Sequence, residues 1–158
     1  MGQFFFMYKK GIKYLDNQIQ KTDSLEECLK KICYYLNKNF VGYDWVGFYF
    51  HDKIKKELNL IAFSGIPTYH TKIQFGKVIC GQSALSNDPI IVDDVSKETN
   101  YISCNLNVKS EIVVPIFEKG NNIGQIDIDS NNLNQFTSKD LEFLKKINHL
   151  ISKKFFDK

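Results

Sequence analysis

Arginine is absent from this sequence, so every basic side chain is a lysine. Contacts to base edges and bidentate contacts to phosphates favour arginine, and its absence argues against a nucleic-acid partner. No apolar run approaches the length of a membrane span. Lys9 and Lys10 closely follow the stretch that contains Phe4–Phe6, so we expect no secretory leader. We therefore expect a cytoplasmic protein with no nucleic-acid or membrane partner.

Cysteine is scarce, and none of the four cysteines forms a Cys-x-x-Cys pair. This spacing argues against a zinc site, and a reducing compartment argues against structural disulfides. Cys28 and Cys33 fall on the apolar stripe of a predicted helix, where we interpret both as packing residues. We accordingly expect no bound metal.

The rest of the composition is that of an ordinary globular protein, with 43% apolar and 25% charged residues among 158. We expect one domain over residues 1–158. Hairpins predominate over β-α-β units, which predicts an α+β fold: an antiparallel sheet with helices packed on one face and loops on the other. The predicted elements are helices over 3–20, after Asp23 or Ser24, near 80–85 and after Thr137 or Ser138, and strands over 41–50, 57–64, 72–75 and 90–92, with a hairpin over 110–130.

The hairpin between Ser110 and Ser130 carries an unusual set of acids. Residues 120–122 (Gly-Asn-Asn) suit its turn. Asp127 and Asp129 are two residues apart and share one strand face, and Glu111 lies in the facing strand. Carboxylates held close together repel one another and lose hydration if buried, so a fold gains nothing from them. A solvated edge strand is the alternative, but three acids favour a site for a cationic group.

Two further cysteines need an interpretation. Cys80 lies where the short predicted helix would begin, and a helix N terminus can lower a thiol pKa. Packing is an equally good interpretation of Cys80. Cys104 lies in a loop outside any apolar stripe, which favours a chemical role.

Several stretches resemble the free methionine-(R)-sulfoxide reductases, a family of stand-alone GAF domains. Each stretch is weak evidence alone, but the combination of Cys80, Cys104, Glu111 and the Asp127-x-Asp129 pair is specific. The matching stretches are Asp44-Trp-Val-Gly-Phe-Tyr, Ile73-Gln-Phe-Gly-Lys-Val-Ile-Cys-Gly, Tyr101-Ile-Ser-Cys, Ser110-Glu-Ile-Val-Val-Pro-Ile, Ile123-Gly-Gln-Ile-Asp-Ile-Asp-Ser and Phe136-Thr.

The resemblance implies a GAF-like fold and a thiol-dependent reduction of free L-methionine-(R)-sulfoxide. A cysteine thiolate attacks the sulfoxide sulfur, methionine leaves, and the resulting sulfenic acid condenses with a second thiol to a disulfide. An external dithiol such as thioredoxin would reduce that disulfide, and no cofactor is implied. By their matches, Cys104 is our first choice of nucleophile and Cys80 the second catalytic cysteine. The matched substrate-binding residues are Glu111, Asp127, Asp129, Trp45 and Tyr49, and amides near Cys80 would take the substrate carboxylate.

One position departs from the family pattern, because His70 stands where a third cysteine is usual. If that cysteine normally resolves the sulfenic acid, Cys80 or an external thiol must do so here. Alternatively, the chain is a GAF module that binds an amino acid or another small cation without turnover. The aromatic N-terminal helix could also pair two chains into a homodimer, as the resemblance implies.

Overall fold

The computed structural model describes residues 2–99 and 107–157, in which six strands form one antiparallel sheet. The strand order is β3-β2-β1-β6-β5-β4, so the hairpin β5–β6 and strand β1 lie at its centre. The elements are α1 (Gly2–Lys21), α2 (Leu25–Asn39), β1 (Trp45–Asp52), β2 (Glu57–Ser64), β3 (Lys72–Gln74), α3 (Val78–Ser86), β4 (Ile90–Val92), β5 (Ser110–Glu118), β6 (Asn121–Ser130) and α4 (Ser138–Phe155).

Three long helices cover one face of the sheet, as the sequence predicts. The main core lies between this face and helices α1, α2 and α4, where alternate apolar residues of β1, β5 and β6 meet the helical stripes. Cys28 and Cys33 are buried in this core, which confirms them as packing residues. Ser24 caps α2, and Thr137 caps α4 in a capping box with Asp140. No helix in the described ranges is long and apolar enough to cross a bilayer.

The opposite face carries a smaller cluster, made by the short helix α3 together with β1, β3 and β5. This face therefore has less cover than the helical face. The segment between β2 and β3 contributes to a cavity here, as described below.

Three predicted boundaries are wrong. Residues 41–44 form a turn and a short connection, and β1 begins only at Trp45. The Asn37 side chain of α2 donates hydrogen bonds to the Tyr43 and Asp44 carbonyls and so holds the chain in this conformation. Helix α3 begins at Val78, two residues before Cys80. The hairpin turns at Lys119 and Gly120, both at positive φ, so Asn121 and Asn122 belong to β6.

Candidate active site

The register of the central strands gathers the predicted acids on one face of the sheet. Glu111 of β5 lies directly opposite Asp129 of β6, and Asp127 is two residues further along β6 on the same face. On the other side of β6, Trp45 pairs with Asp129 and Gly47 pairs with Asp127. The alternation of the strands sends all these residues away from the helical core, toward α3. The interpretation as an exposed edge strand is therefore wrong.

These side chains line a cavity of about 90 Å³, room for several water molecules and hence a small ligand. Glu111 and Asp127 are only 4% and 5% exposed, and Asp129 is half-buried. Further walls come from the segment after β2, from the start of α3 and from Val108, which precedes β5. The lining residues are Asp44, Trp45, Tyr49, Ile66, Pro67, Thr68, His70, Ile73, Val78, Ile79, Cys80, Val108, Glu111, Asp127, Asp129 and Asn131.

The thiol of Cys80 lies against the acids. Its Sγ is 3.8 Å from Oε1 of Glu111, and the residue is 3% exposed. Burial raises the pKa of the Cys80 thiol well above its ordinary value, and the negative charges of Asp127, Glu111 and Asp129 raise it further. The expectation that the helix N terminus lowers this pKa is wrong, because burial and the acids outweigh the helix dipole. Cys80 is a neutral thiol in this structure.

Glu111 and Asp127 differ in how strongly the site favours their protonated form. Burial raises the pKa of Glu111 well above its ordinary value, followed by the charges of Asp127 and Asp129. Burial also raises the pKa of Asp127, while hydrogen bonds from Glu111 and Cys80 oppose that rise. Glu111 is thus the protonated partner and donates to Asp127. Oδ1 of Asp127 is buried and has no hydrogen-bond partner among the described residues.

Two aromatic side chains wall the cavity and bind the segment after β2. The Trp45 indole donates from Nε1 to the Ile66 carbonyl at 3.0 Å, and the Tyr49 hydroxyl donates to the His70 carbonyl at 2.8 Å. The indole folds across Gly47, where an added Cβ would lie 2.2 Å from the ring. Gly47 is therefore required for the position of Trp45.

The start of α3 forms the remaining wall through an unfavourable backbone conformation. Val78 has φ +49°, in the left-handed region that β-branched residues rarely adopt. Such a conformation costs about 1–3 kcal/mol and is typical of functional sites. A left-handed residue followed by a helical one turns successive amides to the same side, and the first amides of a helix lack intrahelical partners. The amides at this end can therefore accept an anionic group.

The structure thus brings together six of the seven residues predicted from the sequence: Cys80, Glu111, Asp127, Asp129, Trp45 and Tyr49. Cys104 lies outside the described residues. Sequence reasoning missed Gly47 and Val78 as contributors to the cavity. A glycine inside a strand is a signal that could have identified the first, whereas nothing in the residue type of Val78 indicates its conformation.

The arrangement combines three chemical capabilities. Its carboxylates can bind a cationic group, its protonated carboxyl can donate a proton, and its aromatic wall can contact an apolar group. A small zwitterion with an apolar end would use the carboxylates for its cationic group and the aromatic wall for its apolar end. The first amides of α3 would bind its anionic group.

Comparison with known proteins agrees with this description. A model of the GAF domain family matches residues 22–153. GAF domain-containing protein A of Dictyostelium discoideum is 40% identical over 86% of this chain and 80% of its own. The free methionine-R-sulfoxide reductase of Saccharomyces cerevisiae is 35% identical, over 87% of this chain and 77% of its own. The structure of the free methionine-R-sulfoxide reductase from Neisseria meningitidis in complex with its substrate is similar with a TM-score of 0.88 and 32% identity, covering 94% of this chain and 87% of that one. This chain therefore belongs to the GAF domain family and, within it, to the free methionine-R-sulfoxide reductases.

Proposed function

We propose that this protein is an oxidoreductase that converts free L-methionine-(R)-sulfoxide to L-methionine by cysteine chemistry. One observation carries the proposal: three acids and a thiol meet in a small cavity with an aromatic wall. Relatives named for this activity support it.

The cavity suggests how the substrate is held. The ammonium group would lie among Glu111, Asp127 and Asp129, where charge-assisted hydrogen bonds replace its hydration. The methyl end would contact Trp45 and Tyr49, and the first amides of α3 would take the carboxylate. A peptide-bound methionine has no free ammonium group, so these contacts favour the free amino acid.

The nucleophile is Cys104 in this proposal. Cys80 is disfavoured because its raised pKa keeps it in the unreactive thiol form. Val108 lines the cavity and lies four residues after Cys104, a separation that an extended chain spans in at most about 14 Å. The proposal therefore requires the Cys104 thiol to enter the cavity beside Val108.

The chemistry balances in two steps. The Cys104 thiolate attacks the sulfoxide sulfur while Glu111 gives a proton to the sulfoxide oxygen. The hydroxyl then passes from the methionine sulfur to the Cys104 sulfur as the transient sulfur–sulfur bond and the methionine sulfur–oxygen bond break, so methionine leaves and Cys104 becomes a sulfenic acid. A second thiol then displaces that oxygen as water and forms a disulfide. With His70 at the usual third-cysteine position, Cys80 is our candidate for the second thiol. Glu111 has given up its proton in the first step and lies 3.8 Å from the Cys80 Sγ, so it can take the thiol proton and activate Cys80 for this step alone.

An external dithiol such as thioredoxin would restore the enzyme, with no resident cofactor. The cytoplasm supplies such reductants, and we place the protein there. A homodimer is also part of the proposal, because Phe4, Phe5 and Phe6 of α1 are each about two-thirds exposed.

The test is turnover of the separate R and S epimers of free methionine sulfoxide with a dithiol, with methionine as the measured product. We expect methionine from the R epimer alone, loss of product in Cys104→Ser, and a Cys80–Cys104 disulfide by mass spectrometry after one turnover without reductant. Cys28→Ala, in the helical core, is the control that retains turnover. No methionine from the R epimer with folded protein rejects the proposal.

A second candidate is a binding module without turnover, which His70 in place of the third cysteine favours. It predicts that free methionine sulfoxide binds and is recovered unchanged in the presence of a dithiol.

A further inference from the structure

Cys80, Glu111 and Asp127 are arranged like the ligands of a metal ion. Each offers one donor atom, and the three atoms all lie within 4.8 Å of one another. The Sγ of Cys80 and Oε1 of Glu111 are 3.8 Å apart. A tetrahedral Zn²⁺ with bonds of about 2.3 Å to sulfur and 2.1 Å to oxygen holds its donors roughly 3.5 Å apart. Small side-chain rotations would therefore bring the donors to that separation.

Asp127 provides an independent indication of a missing partner. The residue is 5% exposed, and its Oδ1 is buried without a hydrogen-bond partner among the described residues. A buried carboxylate oxygen in that state costs free energy, because nothing replaces its hydration. A cation on the cavity side would supply the partner.

The mixture of donors selects the class of ion. One thiolate with two carboxylates suits Zn²⁺ or Co²⁺, whereas Mg²⁺ and Ca²⁺ prefer six or more oxygen ligands. Cys80, Glu111 and Asp127 come from three different elements, α3, β5 and β6, which fixes their relative positions. Three protein ligands leave a fourth position toward the cavity, the arrangement of an open zinc site.

We propose that a thiophilic divalent cation, represented by Zn²⁺, binds Cys80, Glu111 and Asp127 and excludes substrate from the cavity. Binding forms a zinc–sulfur bond, ionises Glu111 and releases the protons of Cys80 and Glu111 to solvent. The acids then no longer offer their charge to the substrate amine, so Zn²⁺ competes with methionine sulfoxide. The metal site stands on these residues alone, whereas the inhibition rests on the proposed function. The cysteine spacing that argued against zinc concerned cysteine pairs, not one cysteine with acids from distant strands.

Co²⁺ is the spectroscopic probe for the site. Titrated into the reduced full-length protein, it should give a sulfur-to-cobalt charge-transfer band that saturates at one ion per chain. The band should be absent in Cys80→Ala and present in Cys104→Ala, while Zn²⁺ abolishes it and Mg²⁺ does not. Glu111→Gln keeps the size of the side chain and should weaken binding at least about tenfold. Far-UV circular dichroism verifies that each variant is folded.

Two results overturn the metal site: no charge-transfer band in the folded wild type, or a band that is lost with Cys104 and not with Cys80. For the inhibition, Zn²⁺ should raise the apparent KM for methionine sulfoxide and leave kcat unchanged. Turnover without metal binding refutes this inference and leaves the proposed function intact. Metal binding by a folded protein without turnover supports the site and refutes the proposed function.

Discussion

Asp127 is suited to bind a cationic group, because its neighbour Glu111 holds a proton and one of its own oxygens has no partner among the described residues. An ammonium group would supply that partner. A hydrogen bond to a charged group contributes about 1.5–3 kcal/mol, and 1.4 kcal/mol corresponds to a factor of ten in affinity. The side chain of Asp127 should therefore matter more for binding substrate than for the chemical step.

We predict that Asp127→Asn raises the KM for free methionine-(R)-sulfoxide by roughly 10- to 100-fold and changes kcat less. Steady-state kinetics measure both quantities. Glu118→Gln is the matched control, because Glu118 ends β5 outside the cavity lining and its loss should leave KM unchanged. An unaltered KM in Asp127→Asn would remove Asp127 from the binding site.

Trp45 is the only tryptophan of the chain, and its ring occupies the space that a side chain at position 47 would need. Gly47→Ala would place a methyl group 2.2 Å from the indole, so the ring must move. We predict a loss of about 1–3 kcal/mol in the free energy of unfolding, the usual cost of overpacking, together with a shift in the emission of Trp45. Gly2→Ala, where an added Cβ meets nothing within 4 Å, should change neither. Unchanged emission in Gly47→Ala would contradict the account of this wall.

At the scale of elements, the β5–β6 hairpin positions the acids, and its turn is not optimal. Lys119 and Gly120 both have positive φ, the conformation of a two-residue turn in which asparagine-glycine is preferred. Lysine at φ +49° lacks that preference.

Lys119→Asn should therefore stabilise the protein by about 0.5–1 kcal/mol, and Gly120→Ala should destabilise it. Denaturant unfolding with an unchanged slope measures both effects. If the two substitutions shift the midpoint in the same direction, the turn does not have this conformation.

The elements also show how far sequence reasoning reaches. Alternation of apolar residues predicted the hairpin and its two faces, because a period of two needs only local information. The sequence predicts that β1 begins at residue 41, four residues too early. The reason is not local, because the Asn37 side chain of α2 donates hydrogen bonds to the carbonyls of the two residues before Trp45. The spacing of the three acids in the sequence predicts their site, but nothing in the sequence predicts that Cys80 is protonated. Its pKa depends on strands that are remote in sequence and meet only in the fold.

At the scale of the whole molecule, His51 couples stability to pH. Burial, with a smaller contribution from the Lys53 charge, lowers the pKa of His51 to about 4. Its Nε2 is buried without a hydrogen-bond partner among the described residues. The unfolded state binds a proton near pH 6.5, whereas the folded state does not until about pH 4. His51 therefore lowers the free energy of unfolding as the pH falls from 6.5 to about 4, and it has no such effect above pH 6.5.

We predict that His51→Gln reduces the loss of stability between pH 6.5 and pH 4 by about 1–2 kcal/mol. The effect is smaller than the full pKa difference would give, because the ring is only half-buried and solvent screens its charge. Unfolding free energies at several pH values give the comparison, and His149→Gln on the exposed side of α4 is the control. Identical pH profiles for the wild type and His51→Gln would contradict the prediction.

The two faces of the sheet divide the work of the molecule. The helical face holds the large apolar core, while the α3 face holds buried acids that oppose folding by their desolvation and mutual repulsion. A binding site for a cationic substrate explains that cost, since the substrate amine relieves it.

The most direct test of this account compares free methionine-(R)-sulfoxide with its N-acetylated form, which has the same sulfoxide and no ammonium group. If Glu111, Asp127 and Asp129 hold the amine, kcat/KM for the N-acetylated compound should fall at least about 100-fold, equivalent to some 2.7 kcal/mol. Equal kcat/KM values for the two compounds would show that the buried acids do not bind the substrate amine and would contradict the account.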